Sequence, residues 1–189
     1  MSSLGKLEIA VLGGGHGCYA AAADFSEAGH EVRFWRRDAS ALAPVKAARA
    51  ITVKDFRGTR NVPLHLVTHD IAEAARGADL IFSPLPAFAQ ADLARALAPH
   101  LTDGQVVFLP PGTFGSYVFA KSVRDAGSKS DIAVAETGTL PWLTRKHGAG
   151  EIAITTRATR LPTGVFPSRH TAHALAVISR AFPNACLLY

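Results

Sequence analysis

The sequence has little of what stabilises small secreted proteins or holds metal ions. Its 189 residues include only two cysteines, Cys18 and Cys186, which are far apart in the chain. They form no Cys-x-x-Cys motif and no cluster with histidines, so neither a disulfide framework nor a metal site is indicated. We expect Cys18 to be a packing residue and not a reactive thiol.

Long apolar runs are missing as well. No segment reaches the roughly 18 apolar residues that a membrane span requires, so no membrane partner is expected. Residues 1–8 lack the apolar core of a signal peptide. The sequence therefore favours a cytoplasmic protein.

Charge of either sign is also sparse and unclustered. The chain carries 20 Lys and Arg against 15 Asp and Glu, which gives a net charge of +5. The basic residues are scattered and do not interleave with aromatic residues, so nucleic-acid binding is not expected. Hydrophobic residues make up 48% of the chain, which is enough for a packed core and argues against disorder.

Short apolar strands alternate with helical patterns along the chain. This alternation predicts an α/β fold of the Rossmann type, with a doubly wound, mostly parallel sheet and helices on both faces. No repeat or linker divides the chain, so residues 1–189 are expected to form one dinucleotide-binding domain. The predicted strands are 7–12, 31–35, 78–83, 105–109, 131–135 and 151–157, with short β-like pieces in 51–68; the predicted helices are 19–28, 39–50, 71–76, 88–99, 114–126 and 168–182.

A glycine turn follows the first strand directly and opens the first helix. It reads Gly13-Gly14-Gly15-His16-Gly17-Cys18. A dinucleotide turn needs a tight exit from the strand, a close backbone approach to the pyrophosphate and a small residue for helix packing. Gly13, Gly15 and Cys18 fit these three needs, and a shifted frame from Gly15 to Ala20 also fits. His16 is expected to line the turn through its backbone.

The end of the second strand bears on the choice of cofactor. The chain reads Trp35-Arg36-Arg37-Asp38 there, so two arginines precede the acid that an NAD site usually places at this point. Arginine can pair with a 2′-phosphate or stack on adenine. The interpretation leaves both cofactors open, with NADP slightly favoured over NAD.

Three further loops follow predicted strands at residues 83–87, 110–113 and 136–141. Ligands of open α/β sheets bind at the carboxyl ends of the strands, so these Pro- and Gly-rich loops are expected to lie near the cofactor. Gly112 and Thr113 are candidate contacts from the second of these loops.

Several of these segments together resemble the N-terminal domain of the opine (octopine/nopaline) dehydrogenases. Besides the glycine turn, they read W-R-R-D, A-D-L-I-F-S-P-L-P-A-F-A, L-P-P-G-T-F-G and A-E-T-G-T-L-P-W-L-T-R-K. The stretch from Glu136 to Lys146 is the most specific. The glycine turn and W-R-R-D are shared with glycerol-3-phosphate dehydrogenases and ketopantoate reductases.

The resemblance implies an NAD(P)-dependent oxidoreductase that condenses an amino acid with a 2-keto acid and reduces the resulting imine. It also implies that Gly13, Gly15, Gly17 and Cys18 cradle the pyrophosphate and that Arg36 or Arg37 meets the adenosine end. In the same way, Leu85, Pro86 and Ala87 would flank the cofactor, with Glu136 and Thr137 near the nicotinamide or the substrate cleft. Members of the family carry a second, helical domain with the catalytic histidine, expected to be absent here, so no catalytic residue is named.

Two other functions remain open at this point. One is a reductase of the glycerol-3-phosphate dehydrogenase or ketopantoate reductase type, and the other is a stand-alone, non-catalytic dinucleotide-binding module. An isolated cofactor domain would expose an apolar face, so homo-oligomers are expected. His170 and His173 lie on nearly one face of the last helix, but they lack further ligands and are not expected to bind a metal.

Overall fold

The computed structural model describes residues 5–183 and 185–188. Its helices and strands follow one another as β1 Glu8–Leu12, α1 His16–Glu27, β2 Glu31–Trp35, α2 Ala39–Ala48, β3 Ala50–Asp55, β4 Gly58–Pro63, β5 Leu66–Thr68, α3 Ile71–Ala75, β6 Leu80–Phe82, α4 Ala87–Leu97, β7 Val106–Leu109, α5 Gly115–Asp125, β8 Ala133–Thr137, β9 Trp142–His147, β10 Glu151–Arg157, β11 Arg160–Phe166, α6 Thr171–Ala181 and β12 Cys186–Leu188. No helix in these described ranges combines the length and apolar composition that a bilayer crossing requires.

The larger sheet has the strand order β12-β11-β8-β7-β6-β1-β2-β5. Six neighbouring strands are all parallel, namely β8, β7, β6, β1, β2 and β5, whereas β11 runs antiparallel to β8. The chain reverses its direction of sheet growth between β1 and β6, which is the switch point of a doubly wound fold. The predicted Rossmann-type α/β fold is therefore confirmed.

Both faces of the larger sheet are covered. In β1, Ile9 and Val11 belong to one buried cluster, whereas Ala10 and Leu12 belong to a second cluster on the opposite face. The first cluster includes residues of α1 and α6, and the second includes residues of α3, α4 and α5. A strand that is buried on both sides has a nearly continuous apolar sequence, which is why residues 7–12 could be predicted as a strand.

Helix α1 packs on the sheet through a run of alanines. Ala20 to Ala23 are fully buried, and small side chains let the helix axis approach the strands. The helix ends where Gly29 takes a φ of +92°, a left-handed conformation that glycine reaches at low cost.

A second sheet of four strands, in the order β4-β3-β10-β9, packs against α1. Two antiparallel hairpins form it, and β3 runs parallel to β10 between them. The sequence had indicated short β-like pieces in 51–68 and a strand at 151–157, but the strand β9 and the assembly of a separate sheet were not predicted.

Three predicted helices needed correction at their ends. The helix predicted over 19–28 begins at His16, directly after Gly15, and ends at Glu27. The helix predicted over 39–50 ends at Ala48, because Arg49 takes a left-handed φ of 48° and Ala50 already begins β3. The helix predicted over 168–182 starts with a 3₁₀ turn at residues 168–170, and α6 proper begins at Thr171.

Candidate functional site

The loops that follow the parallel strands meet at the carboxyl edge of the larger sheet. The amide of Gly13 donates to the carbonyl of Trp35 at 2.9 Å, which joins the ends of β1 and β2. The hydroxyl of Ser83 donates to the carbonyl of Leu12 at 3.2 Å, which joins β6 to β1. The amide of Gly112 donates to the carbonyl of Thr137 at 2.9 Å, which joins the loops after β7 and β8. The structure therefore brings the predicted loops together.

The first glycine of the turn has no room for a side chain. Gly13 takes a φ of +129°, and a β-carbon there would lie 2.7 Å from Sγ of Cys18 and 2.9 Å from Cδ2 of Leu85. Cys18 is fully buried between the turn and β1, and burial raises the pKa of its thiol to about 12. Cys18 accordingly packs the helix onto the strand as a neutral thiol.

The next glycines serve different needs. A β-carbon at Gly14 would lie 2.6 Å from Nε of Arg36. The absence of a side chain at Gly14 therefore lets the arginine side chain pack against the turn. A β-carbon at Gly17 would lie 2.6 Å from Cδ1 of Leu140, so the loop after β8 closes onto the start of α1.

Gly15, by contrast, stands open to solvent. A β-carbon there would meet nothing within 4 Å, and its φ of −81° is ordinary for any residue. Gly15 is also the N-cap of α1, and no side chain caps the amides of the first turn. Open space in front of uncapped amides is the arrangement that binds a phosphate at the start of a helix.

The side chain of His16 turns away from the open space. Its Nδ1 accepts the backbone N–H of Lys146 at 2.7 Å, which ties the first residue of α1 to strand β9 of the small sheet. Only a backbone role was expected for His16, and no local pattern could have revealed a partner 130 residues away.

The residues after β2 divide into buried and exposed ones. Trp35 is 6% exposed, and its ring N–H donates to the carbonyl of His69 at 3.0 Å, so its side chain belongs to the core. Arg36 is half-buried and donates to the carbonyl of Ala41 at 3.3 Å. Arg37 is exposed and forms no ion pair within the described residues.

The acid at this strand end is already engaged. Asp38 is the N-cap of α2 and accepts the N–H of Ala41 at 3.0 Å and the hydroxyl of Ser40 at 2.7 Å. The hydrogen bond from Ser40, followed by that from Ala41, lowers the pKa of the Asp38 carboxyl. Within the described residues, the first positions after β2 therefore present arginines to a ligand.

The loop after β6 leads straight into α4. Leu85 is half-buried against Gly13, whereas Pro86 and Ala87 are exposed at the start of the helix. Their exposure at the carboxyl edge leaves them free to contact a ligand.

Gln90 is a site residue that the sequence did not single out. It is 1% exposed, and its Nε2 donates to the carbonyls of Gly112 at 3.2 Å and Pro111 at 3.4 Å. This side chain fixes the loop after β7 to α4. The neighbouring Thr113 is exposed in a left-handed conformation, with a φ of 55°.

Glu136 and Thr137 were expected in the loop after a strand over 131–135, but they are the last two residues of β8, which runs from Ala133 to Thr137. The carboxylate of Glu136 accepts the N–H of Ser116 at 3.2 Å and its hydroxyl at 3.1 Å, so it caps the start of α5. The hydroxyl of Thr137 is buried and donates to the carbonyl of Thr139 at 2.7 Å. Both residues lie at the carboxyl edge, with Glu136 directed towards α5.

The two histidines near α6 have separate partners. His170 lies 2.9 Å from Oδ1 of Asp131, and His173 lies 2.8 Å from the carbonyl of Gly104. Across the residues that the structure describes, no group of three or more His, Cys, Asp or Glu side chains could hold a metal ion.

A doubly wound sheet, a glycine turn that opens α1 and four further loops at the same edge define an NAD(P)-binding domain of the Rossmann class. Residues 8–113 match the family described as NAD-dependent glycerol-3-phosphate dehydrogenase N-terminus. The chain belongs to this family.

Relatives of two kinds are similar over most of the chain. An opine dehydrogenase from Arthrobacter sp. (strain 1C) is 28% identical over 176 residues, which cover 93% of this chain and 49% of that protein. A glycerol-3-phosphate dehydrogenase [NAD(P)+] from Halorhodospira halophila (strain DSM 244 / SL1) is 31% identical over 180 residues, with the same two shares. The chain thus spans about half the length of these curated relatives.

Solved structures show the same fold. Octopine dehydrogenase in complex with NADH and agmatine has a TM-score of 0.76 at 21% identity, covering 96% of this chain and 48% of that one. Yersinopine dehydrogenase with NADP+ bound has a TM-score of 0.70 at 16% identity, covering 97% and 47%. The resemblance to opine dehydrogenases that the sequence motifs indicated is confirmed.

Proposed function

We propose that this chain is the cofactor-binding half of a cytoplasmic oxidoreductase of the opine dehydrogenase type. Such an enzyme joins an amino acid to a 2-keto acid through an imine and reduces the imine by hydride transfer. The observation that carries the proposal is the open space at Gly15, which faces uncapped amides of α1 where the strand-end loops meet. A diphosphate fits that space because the helix N-terminus offers free N–H donors and a favourable dipole.

The residues at the carboxyl edge divide the cofactor site into regions. The turn from Gly13 to Cys18 would hold the diphosphate, Arg36 and Arg37 the adenosine end, and the two loops at 85–87 and 112–113 the nicotinamide end. When bound, NADH or NADPH supplies the hydride for the imine. Glu136 would act by holding the start of α5, and with it the loop after β7, in place beside the nicotinamide.

Both NADP and NAD are expected to bind, with NADP favoured. A carboxylate at the end of β2 usually accepts the ribose hydroxyls of NAD. Here the Asp38 carboxylate caps α2 instead, and Arg37 is exposed without an ion-pair partner in the described part of the chain. A guanidinium in that position can form paired hydrogen bonds with the 2′-phosphate of NADP.

We assign the amino acid and 2-keto acid as substrates through the opine dehydrogenase relative. Its similarity covers 93% of the chain and includes the stretch from Glu136 to Lys146, which resembles the opine dehydrogenases most specifically. The coverage alone does not decide, since the Halorhodospira glycerol-3-phosphate dehydrogenase shares it. Because the relatives are about twice as long, we propose that a further helical domain supplies the catalytic residues. This chain by itself is then expected to bind cofactor without turning over substrate.

An exposed apolar surface lies at the same edge of the sheet and is a candidate protein–protein interface. Phe88 and Phe114, at the starts of α4 and α5, are each 86% exposed, and Tyr117 nearby is 58% exposed. Apolar side chains grouped in this way mark an interaction surface. We propose that the isolated chain self-associates there, which sedimentation velocity over a range of concentrations would detect; a monomer at every concentration would refute it.

A second candidate function rests on the family match. Residues 8–113 fit the glycerol-3-phosphate dehydrogenase N-terminus, and the Halorhodospira relative is similar over 93% of the chain. The reaction would then be reduction of a phosphorylated ketone by the same cofactor site. Oxidation of NADPH by the native protein, offered either an amino acid with pyruvate or dihydroxyacetone phosphate, separates the two functions.

The first experiment is a calorimetric titration of the chain with NADPH and then NADH. Binding of both, with NADPH tighter, is the expected result, and binding of neither would refute the proposal. The test variant is Gly15→Ala, whose β-carbon meets no protein atom and should leave the fold intact while it obstructs the diphosphate. Gly164→Ala, equally unobstructed but in β11, is the matched control and should bind like the wild type.

A further inference from the structure

Strand β9 brings a lysine to the first turn of α1. The backbone N–H of Lys146 is bonded to Nδ1 of His16, as described above, so the lysine has a fixed position beside the glycine turn. Its register partner in β10 is Ile152, which is fully buried in the cluster that includes α1. Residues paired across antiparallel strands point to the same side, so Lys146 projects from the side of β9 that faces α1.

The ammonium group of Lys146 is held close to α1. Its Nζ lies 4.2 Å from the ring centroid of Tyr19, a cation–π distance. Tyr19 is itself fixed, because its hydroxyl donates to the carbonyl of Ala149 at 2.9 Å and its ring packs edge-on against Phe34. Tyr19 lies three residues after His16 and therefore on the same face of the helix.

No carboxylate neutralises this lysine. Lys146 is half-buried, and it forms no ion pair with any described residue. Burial is the largest influence on the pKa of the Cys18 thiol and raises it, but the charges of Arg36 and Lys146 both act to lower it. The turn is thus flanked by two cations, Arg36 against Gly14 and Lys146 beside His16.

We propose that Lys146 is a phosphate-binding residue whose ammonium group contacts the diphosphate of the dinucleotide, so that the small sheet completes the diphosphate site. This inference rests on the proposed cofactor function. The diphosphate is favoured over the 2′-phosphate because Lys146 is tied to the first turn of α1, whereas the arginines of the adenosine end follow β2. The packing of the small sheet on α1 then has a functional consequence, since it delivers a cation to the start of the helix.

The test compares Lys146→Met with the wild-type chain in titrations with NADH, NADPH and adenosine. Loss of a charged hydrogen bond should weaken both dinucleotides by about tenfold. The factor should be equal for NADH and NADPH, which share the diphosphate, and adenosine should bind unchanged. Lys146→Arg should restore most of the affinity. Arg145→Met removes the same charge from the opposite side of β9 and should bind like the wild type.

Other outcomes would overturn the inference. Wild-type affinity in Lys146→Met, or a loss confined to NADPH, would show that the lysine does not bind the diphosphate. If Lys146→Met fails to fold, the salt dependence of NADH binding is measured in Lys146→Gln instead. The inference requires that dependence to be weaker in Lys146→Gln than in the wild type. A wild-type chain that binds no dinucleotide would refute the proposed function as well, which distinguishes the two failures.

Discussion

Gly112 lies so close to Glu136 that a β-carbon on the glycine would overlap both Cβ and Oε2 of the glutamate and would lie 2.7 Å from its Cδ. The same glutamate caps α5 through Ser116. The end of β8, the loop after β7 and the start of α5 are therefore packed as one unit. Any side chain at residue 112 must displace a carboxylate that is already bonded on its far side.

Gly112→Ala is accordingly expected to reduce the free energy of unfolding. Overpacking of this kind costs about 1–3 kcal/mol. Affinity for NADH should fall in parallel, because the displaced loop includes Thr113. Urea denaturation and calorimetry provide the two measurements. Gly138→Ala is the control, since a β-carbon there meets nothing within 4 Å; equal effects of the two substitutions would contradict the packing argument.

The amide of Gln90 gives a second prediction. Gln90→Leu removes the buried donor to the carbonyls of Pro111 and Gly112, and it leaves the buried carbonyl of Gly112 with the N–H of Gly115 at 2.9 Å. The loss of these bonds should lower the free energy of unfolding by about 1–3 kcal/mol. Gln90→Glu should be worse at neutral pH, since it places a buried negative charge against those carbonyls. Acidification protonates the new carboxyl, so the difference between the two variants should shrink. Urea denaturation at both pH values measures this, and a pH-independent difference would refute it.

The features that the sequence predicted well are local. The apolar run before Gly13 and the glycines themselves predict a buried strand and a phosphate-binding turn because strand, turn and helix are contiguous. The alternation of strands and helices likewise predicts a parallel sheet, since each crossover is a local unit. The main loops of the site could be located for the same reason, as they follow recognisable strands.

What the sequence did not reveal depends on distant partners. Strand β9 exposes Leu143, Arg145 and His147 on one side, so its pattern does not show the alternation of a half-buried strand. Its place is fixed by contacts such as the hydrogen bond from Nε1 of Trp142 to Oδ2 of Asp24, at 2.6 Å and across 118 residues of sequence. Gln90 likewise has the sequence surroundings of an ordinary helical residue, and only its contacts with the carbonyls of the loop after β7 give it a special role. Neither feature has a local signature.

The contact between α1 and the small sheet gives a third prediction. Arg157 donates to both carboxylate oxygens of Asp24 at 2.7 Å and to Oδ2 of Asp55 at 2.9 Å. The side chain of Asp55 is fully buried, and hydrogen bonds from Arg60 and Arg157 hold the pKa of its carboxyl far below the ordinary value. The ion pairs therefore persist at neutral pH.

Arg157→Met should lower the free energy of unfolding by about 1–3 kcal/mol, a range that allows for the partial exposure of the arginine. The control is Lys121→Met, which removes an exposed partner of Asp125 and should have little effect. A cycle with Asp24→Asn should show coupling, because the two groups share hydrogen bonds. Chemical denaturation of the wild type, the two single variants and the double variant measures the coupling. Additive effects of the two substitutions would refute the interaction between Arg157 and Asp24.

A fourth prediction concerns the pH dependence of stability and arises from His30. This residue is buried between the start of β1 and the end of α6. Its Nδ1 accepts the N–H of Leu7 at 3.2 Å, and its Nε2 donates to the carbonyl of Arg180 at 3.2 Å. Both bonds require the neutral ring with the proton on Nε2. Burial, the largest influence, lowers the pKa of His30.

Because the folded protein resists protonation of His30, the unfolded chain binds more protons as the pH falls below the ordinary histidine pKa of about 6.5. The contribution of His30 is therefore fully present above that pH. It is lost as the pH falls towards the folded-state pKa, with a limiting slope of about 1.4 kcal/mol per pH unit. The melting temperature of the wild type should drop over this range, and His30→Gln, which cannot titrate, should show a flatter profile. His147→Gln, at an exposed position, should keep the wild-type slope. A His30→Gln profile parallel to that of the wild type would show that acid sensitivity arises elsewhere.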